Sequence, residues 1–141
     1  MLEREIIQTR GFKNTKDENG NVTGFEFRIR NSYYRGAWLS MYRPGDVVVD
    51  GVTYPAAETT WVVNGIEYTP AEMLEVEDEQ WPIDKAATVK VKKAGGLEMG
   101  YHDVEISYRF IMSYIPPIVN SDEAFARMPA KPYTRRMILV N

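Results

Sequence analysis

The sequence predicts an all-β chain, an antiparallel β-sandwich of jelly-roll-like character carrying one or two short helices. Three observations point there. Apolar and polar residues alternate with the period of two expected of half-buried strands. Asn-Gly and Asp-Gly pairs recur between those stretches, and such pairs tolerate the positive φ of a tight hairpin. Only two short segments carry helix-capping chemistry.

In chain order, "ENGN" at 18–21 predicts the first hairpin, followed by "FEFRIR", in which Phe25, Phe27 and Ile29 face one way and Glu26, Arg28 and Arg30 the other. "VDGV" at 49–52 and "VNGI" at 63–66 predict two more hairpins. They lie in a weak internal echo, "VVDGVTYPAAE" against "VVNGIEYTPAE", which reads as repeated hairpin chemistry because two copies cannot make a solenoid. "TPAEML" follows, with Thr69 as cap, Pro70 in the first helical position and Glu72 reaching back in a capping box. In "ATVKVKK" the inward set is Ala87, Val89 and Val91, and the glycines Gly95, Gly96 and Gly100 then read as a hairpin. The longest alternation, "VEISYRFIMSY", aligns Val104, Ile106, Tyr108, Phe110, Met112 and Tyr114 on one face, which no helix does. A proline-containing connector over 118–134, available as an interface arm, holds a second short helix at "SDEAFARM", capped by Ser121. The chain ends in "RRMILVN", whose run from Met137 to Val140 predicts a strand covered on both sides. Residues 1–141 are read as a single sandwich domain.

Composition narrows the function. A chain of 141 residues buries about 68–70% of its unfolded surface and needs no staples. With no cysteine, disulfides, thiolate zinc sites and a cysteine nucleophile are excluded. The net charge of −3 and the scattered lysines and arginines leave no electrostatic footprint for nucleic acid. Charges at Glu3, Arg4 and Glu5 interrupt any signal-peptide core, and no run is long enough to span a membrane, so a soluble, cytoplasmic protein is expected.

Catalytic chemistry is sparse. His102 is the sole histidine; after the glycine-rich "GGLEMGY" it reads as a turn residue bonded locally, and Asp103 and Glu105 share a strand face that His102 does not. "KDENGN" is rich in oxygen ligands but lacks the spacing and the bidentate glutamate of a calcium loop. Glu75, Glu77, Asp78 and Glu79 form a solvated acidic run, and the glycines do not lead from strand to helix as phosphate cradles do. No catalytic residue and no metal ligand is assigned to the chain.

What remains is "NSYYRGAWLSM" at 31–41. On an extended backbone Tyr33 and Tyr34 would face opposite ways, with Arg35 beside Tyr33, Gly36 allowing a bend or close approach, and Trp38 just beyond. Rigid rings beside a planar guanidinium anchor protein interfaces and also stack on sugar or flavonoid rings. Ordinary packing, with Arg35 paired to a carboxylate, is the plain alternative. Far along the chain "SYIPP" brings Tyr114, Pro116 and Pro117 to a strand end, with a cis bond open at either proline.

The order "VTGFEFRIRNSYYRGAWLSM", "VVVDG", "VNGIEYT" and "ATVKVKKAGGLEMGYHDVEISYRFIMSYIP" resembles the beta subunit of bacterial C-glycoside deglycosidases, over about Val22 to Pro116. Most of the specificity lies in Tyr33 to Gly36, in Gly95 to Leu97 with His102 after it, and in Ser113 and Tyr114 before proline. The connector 118–134 is longer than the resemblance leads one to expect. The resemblance implies a non-catalytic β-sandwich that works with a larger, barrel-shaped alpha subunit. That partner holds a divalent metal, manganese by expectation, together with the acid and base groups. The complex acts on 3-oxo-C-glycosides. Within this chain, Tyr33, Tyr34, Arg35, Gly36, Trp38, Tyr114 and Pro116 are then the residues expected at the alpha interface or near substrate. Two other classes stay open. A free-standing carbohydrate-binding sandwich using the same aromatics would bind sugar as a monomer, and an autonomous glycosidase would need a carboxylate pair with one raised pKa.

Overall fold

The computed structural model describes residues 1–112 and 115–140. Among the described residues eleven strands form three antiparallel sheets, in keeping with the alternating pattern. The first sheet has the order β1-β2-β9-β6-β7, from strands β1 (Ile7–Lys16), β2 (Val22–Ile29), β6 (Thr59–Val63), β7 (Ile66–Tyr68) and β9 (Ala87–Lys92). The second is ordered β11-β10-β4-β5, from β4 (Tyr42–Val49), β5 (Val52–Tyr54), β10 (Gly100–Phe110) and β11 (Tyr133–Leu139). A two-stranded ribbon pairs β3 (Ala37–Trp38) with β8 (Gln80–Trp81) at one end.

The inward faces are the expected ones. Phe25, Phe27, Ile29, Ala87, Val89 and Val91 from the first sheet meet Val47, Val49, Val104 and Ile106 from the second, all at most 2% exposed. Phe25 stands edge-on to Tyr54 across the sandwich, with ring centroids 5.3 Å apart. The Asp50-Gly51 and Asn64-Gly65 pairs adopt positive φ at both residues, the mirror-image turn that matches strand twist. The echoed sequences therefore share local structure, a hairpin and then a short helical turn at the proline, but not a place in the fold, since one hairpin joins β4 to β5 in the second sheet and the other β6 to β7 in the first.

Both helices occur where their caps predict. Helix α1 (Pro70–Met73) has the full capping box, Thr69 accepting from the Glu72 amide and Glu72 from the Thr69 amide, and it buries Met73. Helix α2 (Asp122–Arg127) is capped by Ser121 and buries Ala124.

Four expectations are corrected. Gly95 and Gly96 do not close a hairpin: β9 pairs with β2 and β6, β10 with β4 and β11, so the glycine turn carries the chain from one sheet to the other. Asn14 fixes that crossing by accepting from the Leu97 amide and donating to its carbonyl, both at 2.9 Å. The final strand is covered on one side only, because Met137 and Leu139 are buried while Ile138 is 49% and Val140 62% exposed. Ile138 thus points from the outward face of β11 into solvent, while Met137 and Leu139 point into the sandwich. The longest strand stops at Phe110; Met112 lies past its end, and Ser113 and Tyr114 lie outside the described residues. Neither Pro116 nor Pro117 follows a cis bond, none being present among the described residues.

Candidate functional site

The stretch 31–41 is not one extended strand: residues 33–35 bend, and only Ala37–Trp38 form a strand, β3. Asn31 is buried and turns it: its amide nitrogen donates to the Tyr42 hydroxyl at 2.7 Å and the Trp81 carbonyl at 3.0 Å, while its oxygen accepts from the Tyr33 amide at 3.0 Å. The next amide, of Ser32, donates to the Tyr108 hydroxyl at 2.9 Å, and that hydroxyl in turn donates to the Arg30 carbonyl. Burial pushes the Tyr108 phenol up to about 12 and the Tyr42 phenol higher still. Both stay protonated at any physiological pH and serve as fixed hydrogen-bonding posts, not as bases.

This turn corrects the predicted geometry of the two tyrosines. Their rings do not face opposite ways but lie together, centroids 4.4 Å apart, and the Arg35 guanidinium sits 5.9 Å from the Tyr33 ring and 5.6 Å from that of Tyr34. A hydrogen bond with Tyr33 raises the Tyr34 phenol, against the opposing pull of the Arg35 charge. Tyr34 is 71% exposed and Arg35 is exposed too. The plain alternative of an Arg35–carboxylate pair is not what the fold contains: no such ion pair occurs among the described residues.

Gly36 is the close approach its residue type suggests, since a Cβ there would come within 3.2 Å of the Trp81 carbonyl and the Gln80 side chain. The β3–β8 ribbon then holds Trp38, 43% exposed, opposite Gln80. Backbone bonds from Leu39 to Glu79 and from Ser40 to Val76 anchor the segment to the acidic run, whose Glu75, Glu77 and Asp78 face solvent.

Together these residues form a cleft of about 440 Å³. Tyr33, Arg35, Gly36 and Trp38 line it together with Met41 and Gln80, and the consecutive Phe110, Ile111 and Met112 supply a further stretch of its wall. Tyr34 caps the stack without lining the cleft, Pro116 lies outside the lining, and Tyr114 is beyond the described residues. An unbroken series of rings runs inward from the cleft: Tyr33 to Phe110 at 4.8 Å, Phe110 to Tyr42 at 5.5 Å, Tyr42 to Trp81 at 5.2 Å and Trp81 to Trp61 at 5.5 Å. Sequence reading missed Asn31, Gln80 and the wall at 110–112 as parts of the site. Only Asn31 left a local trace, as an Asn whose side chain can accept an amide two residues on.

His102 lies elsewhere. Its Nδ1 is 2.5 Å from Asp50 and its Nε2 2.6 Å from the Glu98 carbonyl, so it ties a hairpin to a turn. Among the described residues no group of three or more His, Cys, Asp or Glu side chains is placed to hold a metal ion, and no helix is long and apolar enough to cross a membrane.

Stacked aromatic rings beside an exposed cation are the surface chemistry that recognition sites use. More particularly, the chain belongs to the C-glycoside deglycosidase beta subunit family, whose model matches residues 2–114 and so begins well before the point where the resemblance in sequence becomes apparent. It is 45% identical over 118 residues to a C-glycoside deglycosidase beta subunit of Eubacterium cellulosolvens, covering 84% of this chain and 80% of that protein. It is 30% identical over 122 residues to a 3'-dehydrocarminate deglycosidase beta subunit of Microbacterium sp, covering 84% of this chain and 89% of the relative. A C-glycoside deglycosidase beta subunit of Microbacterium trichothecenolyticum is 32% identical over 98 residues, covering 67% of this chain and 69% of its own.

Proposed function

We propose that this chain is the non-catalytic beta subunit of a hetero-oligomeric C-glycoside deglycosidase, and that the cleft at Tyr33 to Trp38 is a contact surface for its alpha subunit. Family membership over residues 2–114 is the observation that carries this reading. The reaction would be an elimination on a 3-oxo-C-glycoside. The ketone at sugar carbon three acidifies the hydrogen at carbon two; loss of that proton gives an enolate. The electron pair then forms the double bond between carbons one and two as the bond to the aglycone carbon breaks, and that carbon takes up a proton. A divalent metal in the alpha subunit, manganese by expectation, would supply Lewis acidity for the enolate. This chain would contribute positioning and the exclusion of water. The stacked rings and Arg35 suit that task because they offer rigid apolar area and an uncompensated cation to a partner surface.

The test is co-purification with the alpha subunit. Arg35→Ala and Tyr34→Ala are each expected to weaken the complex about tenfold or more, the scale of an interface anchor, with the isolated chain's melting temperature unchanged. Unaltered assembly and turnover in both variants would overturn the interface. The aromatic stack also suits a free-standing sugar-binding module; sugar binding by the isolated chain in calorimetry would favour that second reading.

A further inference from the structure

Past residue 114, where the family match ends, the chain passes Pro116 and Pro117 and enters α2, which lies against the outward face of β4 and β10. Arg43 and Arg109, register partners on that face, both reach it. Arg43 pairs with Asp122 at 2.7 Å; the Arg109 guanidinium stacks 4.8 Å from the Phe125 ring and donates to the carbonyls of Phe125 and Met128. Ahead of the helix, Asn120 is only 8% exposed. Its Oδ1 accepts from the Met112 amide at 2.7 Å and its Nδ2 donates to the Phe110 carbonyl at 3.2 Å. Its backbone is itself fixed, because the Val119 and Asn120 amides both donate to the Pro116 carbonyl at 3.1 Å.

One amide side chain thus meets a carbonyl and the N–H two residues later on the same edge of the chain, the pair a neighbouring antiparallel strand would engage. On the opposite edge Ile111 donates to the Met41 carbonyl at 2.8 Å. Residues 110–112 are therefore held from both sides where β10 ends, and they form part of the wall of the cleft. We infer that residues 116–128 are a strap that fixes this wall, with Asn120 as its positioning residue, so that the cleft offered to the alpha subunit is shaped by a segment outside the family's matched region. The inference rests on the reading of the cleft as a partner surface.

Hydrogen exchange and partner affinity are measured on Asn120→Ala and Asn120→Asp in the full chain. Asn120→Ala should speed exchange of the Met112 amide about tenfold, the loss of one hydrogen bond, and weaken the alpha-subunit complex five- to tenfold, while the Val89 and Val104 amides keep their rates. Asn120→Asp retains the acceptor for the Met112 amide but sets a carboxylate oxygen against the Phe110 carbonyl, so it should restore part of the Met112 protection and part of the affinity. Unchanged Met112 exchange in Asn120→Ala overturns the strap, and so does faster exchange with full affinity when Arg35→Ala still weakens the complex. If Arg35→Ala is also without effect on the complex, it is the partner-surface reading that fails, and the positioning role with it.

Discussion

At the scale of single residues, His102 has the most legible consequence. Both its ring nitrogens face acceptors, the Asp50 carboxylate and the Glu98 carbonyl, so the imidazolium satisfies both where a neutral ring satisfies one. Burial pulls its pKa down, but those two acceptors outweigh it and the pKa stands above the ordinary value; His102 and an amide bond from Asp103 hold Asp50 below its own. Other charges nearby are Glu98, and Arg136 with its partner Asp103 at 3.7 Å, while the Phe12 ring stands perpendicular to the imidazole. A raised histidine contributes stability that is complete below its unfolded value of about 6.5 and fades as pH rises through the folded value. A lowered aspartate contributes above its unfolded value and fades as pH falls through the folded one. The pair therefore stabilises most between about pH 4 and 6.5. Urea unfolding is expected to show stability declining from pH 6 to 8 in the native chain and a flatter profile in His102→Gln; parallel profiles would exclude the charged pair. The sequence reads His102 as a turn residue bonded locally; it stands instead in β10, and only its Glu98 bond is local, because Asp50 lies 52 positions upstream and no local spacing displays such a partner.

At the scale of elements, turns were readable and crossings were not. Asp50-Gly51 and Asn64-Gly65 announce hairpins because a positive φ at two adjacent residues has few other uses. Gly95-Gly96 carries the same chemistry between sheets, and only the pairing partners of β9 and β10 reveal the difference. The β3–β8 ribbon, two residues on each side, is too short to leave a period, so the cleft it supports was invisible although four of its lining residues had been singled out. Gly45 shows how closely the elements approach. It lies at the register shift between β4 and β10, where a Cβ would come within 2.3 Å of the Ser107 hydroxyl and 2.4 Å of its carbonyl oxygen. Backbone cannot yield as a side chain does, so Gly45→Ala should cost about 1–3 kcal/mol by overpacking. Gly51→Ala, whose Cβ meets nothing, should cost only the strain of its positive φ, about 1–2 kcal/mol. Chemical denaturation of the two separates crowding from backbone strain.

At the scale of the molecule, the aromatic series joins the centre of the sandwich to the cleft, and Trp38, which lines the cleft outside that series, reports on the cleft. Trp61 and Trp81 are fully buried and Trp38 is 43% exposed, so collisional quenching by acrylamide reads Trp38 selectively. Binding of the alpha subunit over the cleft should reduce that quenching at least twofold, a change absent in Trp38→Phe, and equal quenching in the free and assembled chain would place the partner elsewhere. The sandwich is sealed at its edge by Arg135 of β11, which donates to the Ile7 carbonyl of β1 at 2.8 Å and pairs with Glu3 at 3.0 Å. Those contacts join residues 128 and 132 positions apart. Closing so long a loop is entropically costly until the sheets between are in place. During synthesis the outer edge of β1 can therefore meet this cover only after β11 has been made, 128 positions downstream.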